Sequence, residues 1–148
     1  MTDELTKIFV SFEPALQGFA ERLDGWTHTN LDKDFYNHRA DVPVDSPQAE
    51  PFKQVLRQQI SEAQVTVCLI SQMTSLDPWI AWELETSKSA ADRKGLVGVV
   101  LREYAKHPPA MADSGAIFVA FKQDLVERAI KWALEEKHAS DDFTLQDN

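Results

Sequence analysis

The sequence is poor in cysteine and in long apolar runs. These two shortages argue against a disulfide-bonded protein and against a membrane protein. Cys68 is the single cysteine, so the chain has no partner for an intrachain disulfide. It lies in an apolar segment, where a thiol usually packs as a small hydrophobic side chain. No apolar run reaches the roughly 18 residues of a membrane-spanning helix, and the polar N-terminus lacks the core of a signal peptide. We therefore expect a reduced, cytoplasmic protein without a membrane partner.

Basic residues are also scarce. Fifteen lysines and arginines stand against 24 aspartates and glutamates, which gives a formal net charge of −9. Such a surface repels phosphate backbones, so we expect no nucleic-acid partner. A dinucleotide can still bind, because helix N-termini and backbone amides hold phosphates without a basic patch.

Several motifs for catalysis and cofactor binding are missing. The chain has no P-loop, no GxSxG and no GxGxxG, so nucleotide hydrolysis at a P-loop, a serine hydrolase and a Rossmann cofactor site are all unsupported. No cysteine pair supports zinc, and the four histidines lack the spacing of metal ligands; they are His28, His38, His107 and His138. We expect neither a metal site nor a bound cofactor.

The sequence does contain an alternation of short apolar strands and amphipathic helices. Its 148 residues suit one domain, which we place at 1–139, followed by an acidic tail at 140–148 that we expect to fray. Gly25 is expected to end the first helix. The pattern predicts strands at 7–12, 26–31, 65–70, 95–101 and 116–119. This order predicts an α/β fold, a flavodoxin-like three-layer sandwich with a parallel sheet of about five strands.

Glu83 lies on the helix that follows the third predicted strand. Ligands of open parallel sheets bind outside the carboxyl ends of the strands, and a carboxylate near that rim is placed to meet one. At about 100° per residue, Trp79 and Glu83 fall one turn apart at the edge of the sheet-facing stripe. Glu85 projects to the opposite, solvated side. The alternative interpretation is that Glu83 simply pairs with a basic residue at the border of the core.

Two short segments, Phe9-Val-Ser-Phe12 and Trp79-Ile-Ala-Trp-Glu83, together with the order of elements, give the chain a family resemblance. It resembles the TIR domain superfamily, and most of all the short stand-alone TIR proteins of bacterial antiphage defence, the Thoeris TIR type. Members open with a strand that ends in a Ser-aromatic pair, and they carry Trp-x-x-x-Glu on the helix after the third strand. The resemblance spans roughly residues 6 to 138 in element order.

The resemblance implies an enzyme with NAD⁺ as its substrate. Catalytic TIR domains cleave the bond between nicotinamide and ribose, and some cyclise the ADP-ribose into a signal that activates an effector protein. Glu83 matches the catalytic glutamate of the family. A carboxylate beside the ribose would stabilise the oxocarbenium-like charge that develops as nicotinamide leaves. Nicotinamide leaves as a neutral group, so no general acid is required. Self-association is a further possibility that the family raises.

The same resemblance implies a set of substrate-binding residues. Ser11 and Phe12 match the end of the first strand, which borders the nucleotide pocket, and Phe12 has a stacking role or packs in the core. Residues 32–48 fall where the family has its BB loop, which gates the pocket and mediates contacts between domains. Substrate-contact candidates in this loop and on the Glu83 helix are Phe35, Tyr36, Asn37, His38, Arg39, Trp82 and Ser87. Trp79 matches a mainly structural position.

Two other functions remain open at this point. One is a non-catalytic TIR-like interaction module in which Glu83 is vestigial. The other is a nucleoside deoxyribosyltransferase-like enzyme, which also uses a glutamate on a flavodoxin-like sheet. A response-regulator receiver is excluded, because Ser71-Gln72 stands where that fold needs an aspartate. A Glu83 sealed in the interior, or held by an arginine with no cavity in front of it, would favour a scaffolding role.

Overall fold

A computed structural model describes most of the chain. The described residues are 7–27, 35, 38–39, 41–89, 95–102, 105–112, 114–136 and 143–144. Among them, no helix is long and apolar enough to cross a membrane.

The described elements form one parallel sheet with helices packed on it. The five strands are β1 (Ile8–Ser11), β2 (Val65–Ile70), β3 (Gly95–Val100), β4 (Ile117–Ala120) and the two-residue β5 (Phe143–Thr144). The longer helices of the described residues are α1 (Gln17–Thr27), α2 (Glu50–Glu62), α3 (Pro78–Ser89) and α4 (Gln123–Glu136). The strands lie side by side in chain order, and every neighbouring pair is parallel. The predicted α/β fold is confirmed.

The central strand β2 shows how the sheet separates two cores. All six of its residues are buried, as expected of a parallel strand covered on both faces. Alternate side chains point to opposite faces. Val65, Val67 and Leu69 join one hydrophobic cluster, which also contains buried residues of α1 and α4. Cys68 and Ile70 join the other, with residues of α3. Helices therefore cover both faces, and α2 packs against β1 and α3.

One predicted strand is wrong in part. The prediction placed a strand at 26–31 after a helix that ended at Gly25, but Trp26 and Thr27 continue α1; residues 28–31 lie outside the described part. The Trp26 ring lies 4.8 Å from that of Phe121, and the Thr27 hydroxyl donates to the carbonyl of Leu23 at 2.8 Å. Tertiary packing thus extends the helix past the glycine. The other four predicted strands are confirmed to within one residue at each end.

The fifth strand of the described sheet comes from the C-terminal segment. Phe143 and Thr144 pair with Ile117 and Phe118 of β4. At these two positions the structure differs from the frayed tail that the acidic composition predicted, because backbone pairing with an edge strand does not depend on apolar side chains.

Candidate active site

The helix α3 carries the candidate catalytic residue, and its start is fixed by Asp77. The Asp77 carboxylate accepts hydrogen bonds from the backbone amides of Trp79 at 2.9 Å and Ile80 at 3.3 Å. This is N-capping by a side-chain oxygen, and Pro78 in the first turn has no amide to satisfy. The cap sets the rotation of the helix and hence the direction of each later side chain.

That rotation separates the two carboxylates of α3. Ile80 and Leu84 lie in the hydrophobic cluster on the sheet, and Glu83 beside them has no exposed surface. Glu85 projects to solvent, where it pairs with Lys88 at 3.2 Å. The predicted contrast between a solvated Glu85 and a core-facing Glu83 is confirmed. Glu83 is more deeply buried than its predicted place at the border of the core.

Glu83 is held by two side chains from distant parts of the chain. The hydroxyl of Ser11, the last residue of β1, donates to Glu83 Oε1 at 2.6 Å. Arg39 Nη1 donates to Glu83 Oε2 at 2.9 Å and forms a salt bridge with it. The interpretation that Glu83 pairs with a basic residue therefore describes the observed contact. We call Ser11, Arg39 and Glu83 the rim cluster, because it meets the carboxyl end of β1.

Arg39 is as buried as its partner, with 1% of its surface exposed. Its Nη2 donates to the carbonyl of Phe12 at 3.1 Å, and its guanidinium lies 5.4 Å from the centre of the Trp79 ring. An arginine fixed in this way serves both a carboxylate and a carbonyl. It ties the segment around residue 39 to β1 and to α3.

The electrostatics of the rim cluster are dominated by burial. Burial raises the pKa of the Glu83 carboxyl to about 7, against the opposing effects of the Arg39 charge and the Ser11 hydrogen bond. Burial also raises the pKa of the nearby Cys68 thiol, and the charge of Glu83 adds to that shift. Glu83 is therefore a carboxyl group that changes protonation state near neutral pH. Perturbed groups of this kind concentrate at functional sites.

A cavity of about 560 Å³ lies beside the rim cluster. Arg39 and Trp79 form part of its wall, whereas Glu83 is not among its lining residues. Arg39 therefore contacts Glu83 on one side and the cavity on the other. In this conformation the carboxylate is closed off from the space in which a ligand would lie.

The predicted residues of the first strand both reach the rim cluster, but in different ways. Ser11 contributes its hydroxyl to Glu83. Phe12 contributes only its carbonyl to Arg39, and its ring belongs to the hydrophobic core with 1% exposure. Of the two roles left open for Phe12, core packing describes the observed ring.

Two other predicted contacts lie away from the Glu83 carboxylate. The Ser87 hydroxyl is buried; it donates to the backbone carbonyl of Glu83 at 3.0 Å and lies 2.8 Å from the Thr66 hydroxyl. The Phe35 ring packs 5.5 Å from that of Phe52, against the core. Neither side chain contacts the carboxylate in this conformation. Tyr36 and Asn37 lie outside the described residues, and His38 is exposed.

Trp82 faces a separate groove between α2 and α3. Lys53 Nζ and the Arg57 guanidinium each lie 5.5 Å from the centre of its ring, at cation–π distance. The groove has a volume of about 400 Å³ and is lined by Arg57 and Trp82 among others. The Trp82 ring meets that of Trp79 edge-on at 6.0 Å. The structure does not bring Trp82 to the Glu83 carboxylate.

Sequence reasoning missed how Arg39 and Trp79 close the site. Arg39 was only one of five candidates in the 32–48 segment, and nothing local singled it out as the partner of Glu83. The Trp79 indole donates to the carbonyl of Val42 at 2.7 Å, so Trp79 fixes the same segment from the other side. One signal could have indicated the pair. An acid on the sheet-facing side of a helix needs a basic partner, and the long loop contains a basic residue.

The described residues contain no group of three or more His, Cys, Asp and Glu side chains that could hold a metal ion. The chemistry open to the rim cluster is that of one carboxyl group with a hydroxyl and a guanidinium beside it. Such a group can stabilise a developing positive charge or exchange a proton near neutral pH.

Comparison with known proteins agrees with the fold. A sequence profile of the family described as Thoeris protein ThsB, TIR-like domain, matches residues 9–106. The match contains Ser11, Arg39 and Glu83, and it covers well over half of the 148 residues. No curated protein sequence matches the chain. The chain belongs to the family of Thoeris ThsB proteins with a TIR-like domain.

Proposed function

We propose that this TIR-domain defence protein cleaves NAD⁺ between nicotinamide and ribose, with Glu83 as the catalytic residue. The observation that carries the proposal is the rim cluster itself. A single carboxyl group with a pKa raised to about 7 stands at the carboxyl end of β1, one arginine away from a cavity. The family match supports the proposal, because TIR-like domains include NAD⁺-cleaving enzymes.

The proposed chemistry needs only one carboxylate. As the bond to nicotinamide lengthens, positive charge develops on the ribose, and an ionised Glu83 beside it lowers the energy of that state. The leaving nicotinamide takes the bonding electrons and becomes neutral, so no acid has to protonate it. A water molecule, which gives up a proton to solvent, or a nucleophilic atom of the ADP-ribose itself then bonds to the ribose carbon. The Ser11 hydroxyl orients the carboxylate through its hydrogen bond of 2.6 Å.

Catalysis by Glu83 also requires a change at Arg39. Glu83 has no exposed surface, and Arg39 occupies its Oε2 atom. The ribose can reach the carboxylate only if the guanidinium moves aside, and the segment that carries Arg39 is attached to α3 through the Trp79–Val42 hydrogen bond. The observed conformation is therefore assigned to the closed state of the enzyme.

The remaining features of the proposal are supported only by the family resemblance. The product is a linear or cyclised ADP-ribose derivative that acts as a signal on an effector protein. The enzyme acts in the cytoplasm, where NAD⁺ is present, and self-association is a means of activating it.

The test measures nicotinamide released from NAD⁺ by the purified chain and two variants. Glu83→Gln removes the carboxylate at the rim cluster, and Glu85→Gln makes the same change on the solvated side of α3. We expect Glu83→Gln to lower the rate by roughly a hundredfold or more, as when a group that stabilises transition-state charge is lost. Glu85→Gln should retain the wild-type rate. Equal turnover by the wild type and Glu83→Gln would remove Glu83 from the mechanism.

One observation favours a second candidate function, a non-catalytic interaction module. Glu83 is sealed and ion-paired with Arg39, as a purely structural acid would be. In that case the wild type leaves NAD⁺ intact under all activating conditions, including self-association at high protein concentration. Glu83→Gln would then change the free energy of unfolding without changing any catalytic rate.

A further inference from the structure

The strand β4 is paired along its whole length on one side and along part of it on the other. All four of its residues pair with β3. On the opposite side, the two residues of β5 pair with Ile117 and Phe118. Among the described residues, Val119 and Ala120 have no strand partner on that side. The described part of the chain therefore covers half of this edge, which we call the β4 edge.

The segment that contains β4 has the composition of a strand that pairs readily with a copy of itself. Residues 116–121 read Ala-Ile-Phe-Val-Ala-Phe, without a charge or a proline. Uncharged segments of this length with high β propensity form very stable contacts between strands of different chains. Ile117, Phe118 and Val119 are buried in the clusters on the two faces of the sheet. The backbone along the β4 edge is therefore what another strand would contact.

The strand β5 brings an acidic segment to this apolar edge. Asp141 and Asp142 directly precede β5 in the sequence, in a chain whose formal net charge is −9. Charged residues at the edge of a sheet oppose pairing between two copies of a chain, because both copies carry the same charge. β5 itself is short, and Thr144 is exposed to solvent. Little of the core therefore depends on β5, although it covers an edge that favours association.

We propose that β5 is a removable cap, and that the β4 edge beneath it is a surface on which two copies of this chain pair. A two-fold axis perpendicular to the sheet places the β4 strands of the two copies side by side and antiparallel. This contact uses the same surface on both copies, so it closes at a dimer with one continuous sheet. A bound cap lowers the apparent affinity between copies, because only the uncapped fraction can pair. The inference does not depend on NAD⁺ cleavage.

The first test compares the full chain with an uncapped variant that combines Phe143→Pro and Thr144→Pro. Successive amides of a strand point to opposite sides, so the two prolines together remove whichever amide faces β4. Gln146→Pro is the control, because it makes the same change beyond the two paired residues. Sedimentation velocity over a range of protein concentrations gives the dissociation constant of the dimer.

We expect the uncapped variant to dimerise with roughly tenfold higher affinity than the wild type, the value for a cap that is bound about nine-tenths of the time. Gln146→Pro should match the wild type. Equal dissociation constants for the uncapped variant and the wild type would overturn the inference. Loss of the fold in the uncapped variant, seen by far-UV circular dichroism, would show that β5 is not removable and would overturn it as well.

Two further changes in the uncapped variant locate the contact. Ala120 is exposed at the end of β4, and a lysine on an edge strand opposes pairing, so Ala120→Lys should return the uncapped variant to a monomer. Ala81→Lys adds the same charge at an exposed position of α3 and should leave the dimer intact. A dimer that persists with Ala120→Lys would form through another surface and would overturn the inference.

Hydrogen exchange measured by mass spectrometry locates the contact without a change at the β4 edge. In the uncapped variant, the amides of residues 116–121 should exchange more slowly as the protein concentration rises, because pairing between copies protects them. The amides of α2 should exchange at the same rate at every concentration. Exchange of residues 116–121 that does not depend on concentration, in a protein that dimerises, would also overturn the inference.

Discussion

Trp79 contacts both Arg39 of the rim cluster and Trp82 of the groove, and the ion pairs at these two places differ in exposure to solvent. In the rim cluster an arginine and a glutamate have 1% and 0% of their side chains exposed. At the groove, Arg57 pairs with Glu50 at the same 2.9 Å, but about half of each side chain is exposed. Two ion pairs of equal length thus belong to different environments.

The difference shows that burial, and not the distance between the charged atoms, decides how much an ion pair affects the stability of the fold. A solvated pair is screened by water and contributes little to stability. A buried pair has lost its hydration, so removing one partner leaves an uncompensated charge. Consistent with this contrast, the pKa of Glu83 is raised by burial, whereas that of Glu50 is lowered by its hydrogen bond with Arg57.

The largest effect on stability is expected from Arg39→Met. Near pH 8, where wild-type Glu83 is mostly ionised, loss of the guanidinium should lower the free energy of unfolding by about 3 kcal/mol or more. Near pH 5 Glu83 is protonated, and the loss should fall to about 1 kcal/mol. Urea unfolding at the two pH values measures both. A loss of equal size at the two pH values would show that the ion pair is not its cause.

Glu83 itself should produce a pH dependence of stability. Its pKa in the folded chain is raised from 4.5 to about 7, so the folded state binds the proton more tightly than the unfolded chain. The resulting stabilisation is fully present below pH 4.5 and is lost as the pH rises through about 7. The total change is roughly 3 kcal/mol. The difference in unfolding free energy between the wild type and Glu83→Gln across this range isolates it, and a flat difference would contradict the shift.

Ser11→Ala should have an intermediate effect. It removes one buried hydrogen bond to the carboxylate, and bonds to charged groups contribute about 1.5–3 kcal/mol. Because the hydroxyl favours the ionised form, its loss should also raise the pKa of Glu83 further. Chemical denaturation and an NMR titration of the variant measure the two effects. Ser87→Ala is the control for the pKa effect, since the Ser87 hydroxyl bonds to the Glu83 backbone and to Thr66, and not to the carboxylate.

The smallest effect is expected from Arg57→Met at the groove. It breaks an exposed ion pair with Glu50, so the free energy of unfolding should change far less than in Arg39→Met at either pH. Arg57→Met replaces the arginine of the solvated pair, just as Arg39→Met replaces the arginine of the buried pair. Losses of similar size in the two variants would remove the distinction between the two regions.

Helix periodicity predicted part of the candidate site from the sequence. The register of α3 depends on a local cap and on the apolar stripe of Ile80 and Leu84, so it placed Glu83 inward and Glu85 outward correctly. The resemblance of the segment Phe9-Val-Ser-Phe12 to the first strand of the family added Ser11 to the predicted site. These signals are local, because each lies within a few residues of the side chain that it orients.

The parts that could not be predicted depend on contacts between distant segments. The Arg39–Glu83 pair joins residues 44 positions apart, and no periodic pattern connects them. The extension of α1 to Thr27 depends on packing of Trp26 against Phe121, which is distant from it in the sequence. Tertiary packing of this kind overrides the local stop signal of a glycine.

The ionisation state of Glu83 decides whether it faces Arg39 as a carboxylate and whether it can stabilise positive charge in the proposed reaction. It is measured by following the ¹³C shift of the glutamate side-chain carboxyl against pH, with the signal assigned by its absence in Glu83→Gln. We expect a midpoint near the value of about 7 that burial produces. A midpoint at the ordinary value of 4.5 would mean that the Arg39 charge and the Ser11 hydrogen bond fully offset the effect of burial, and it would contradict a Glu83 that changes protonation state near neutral pH.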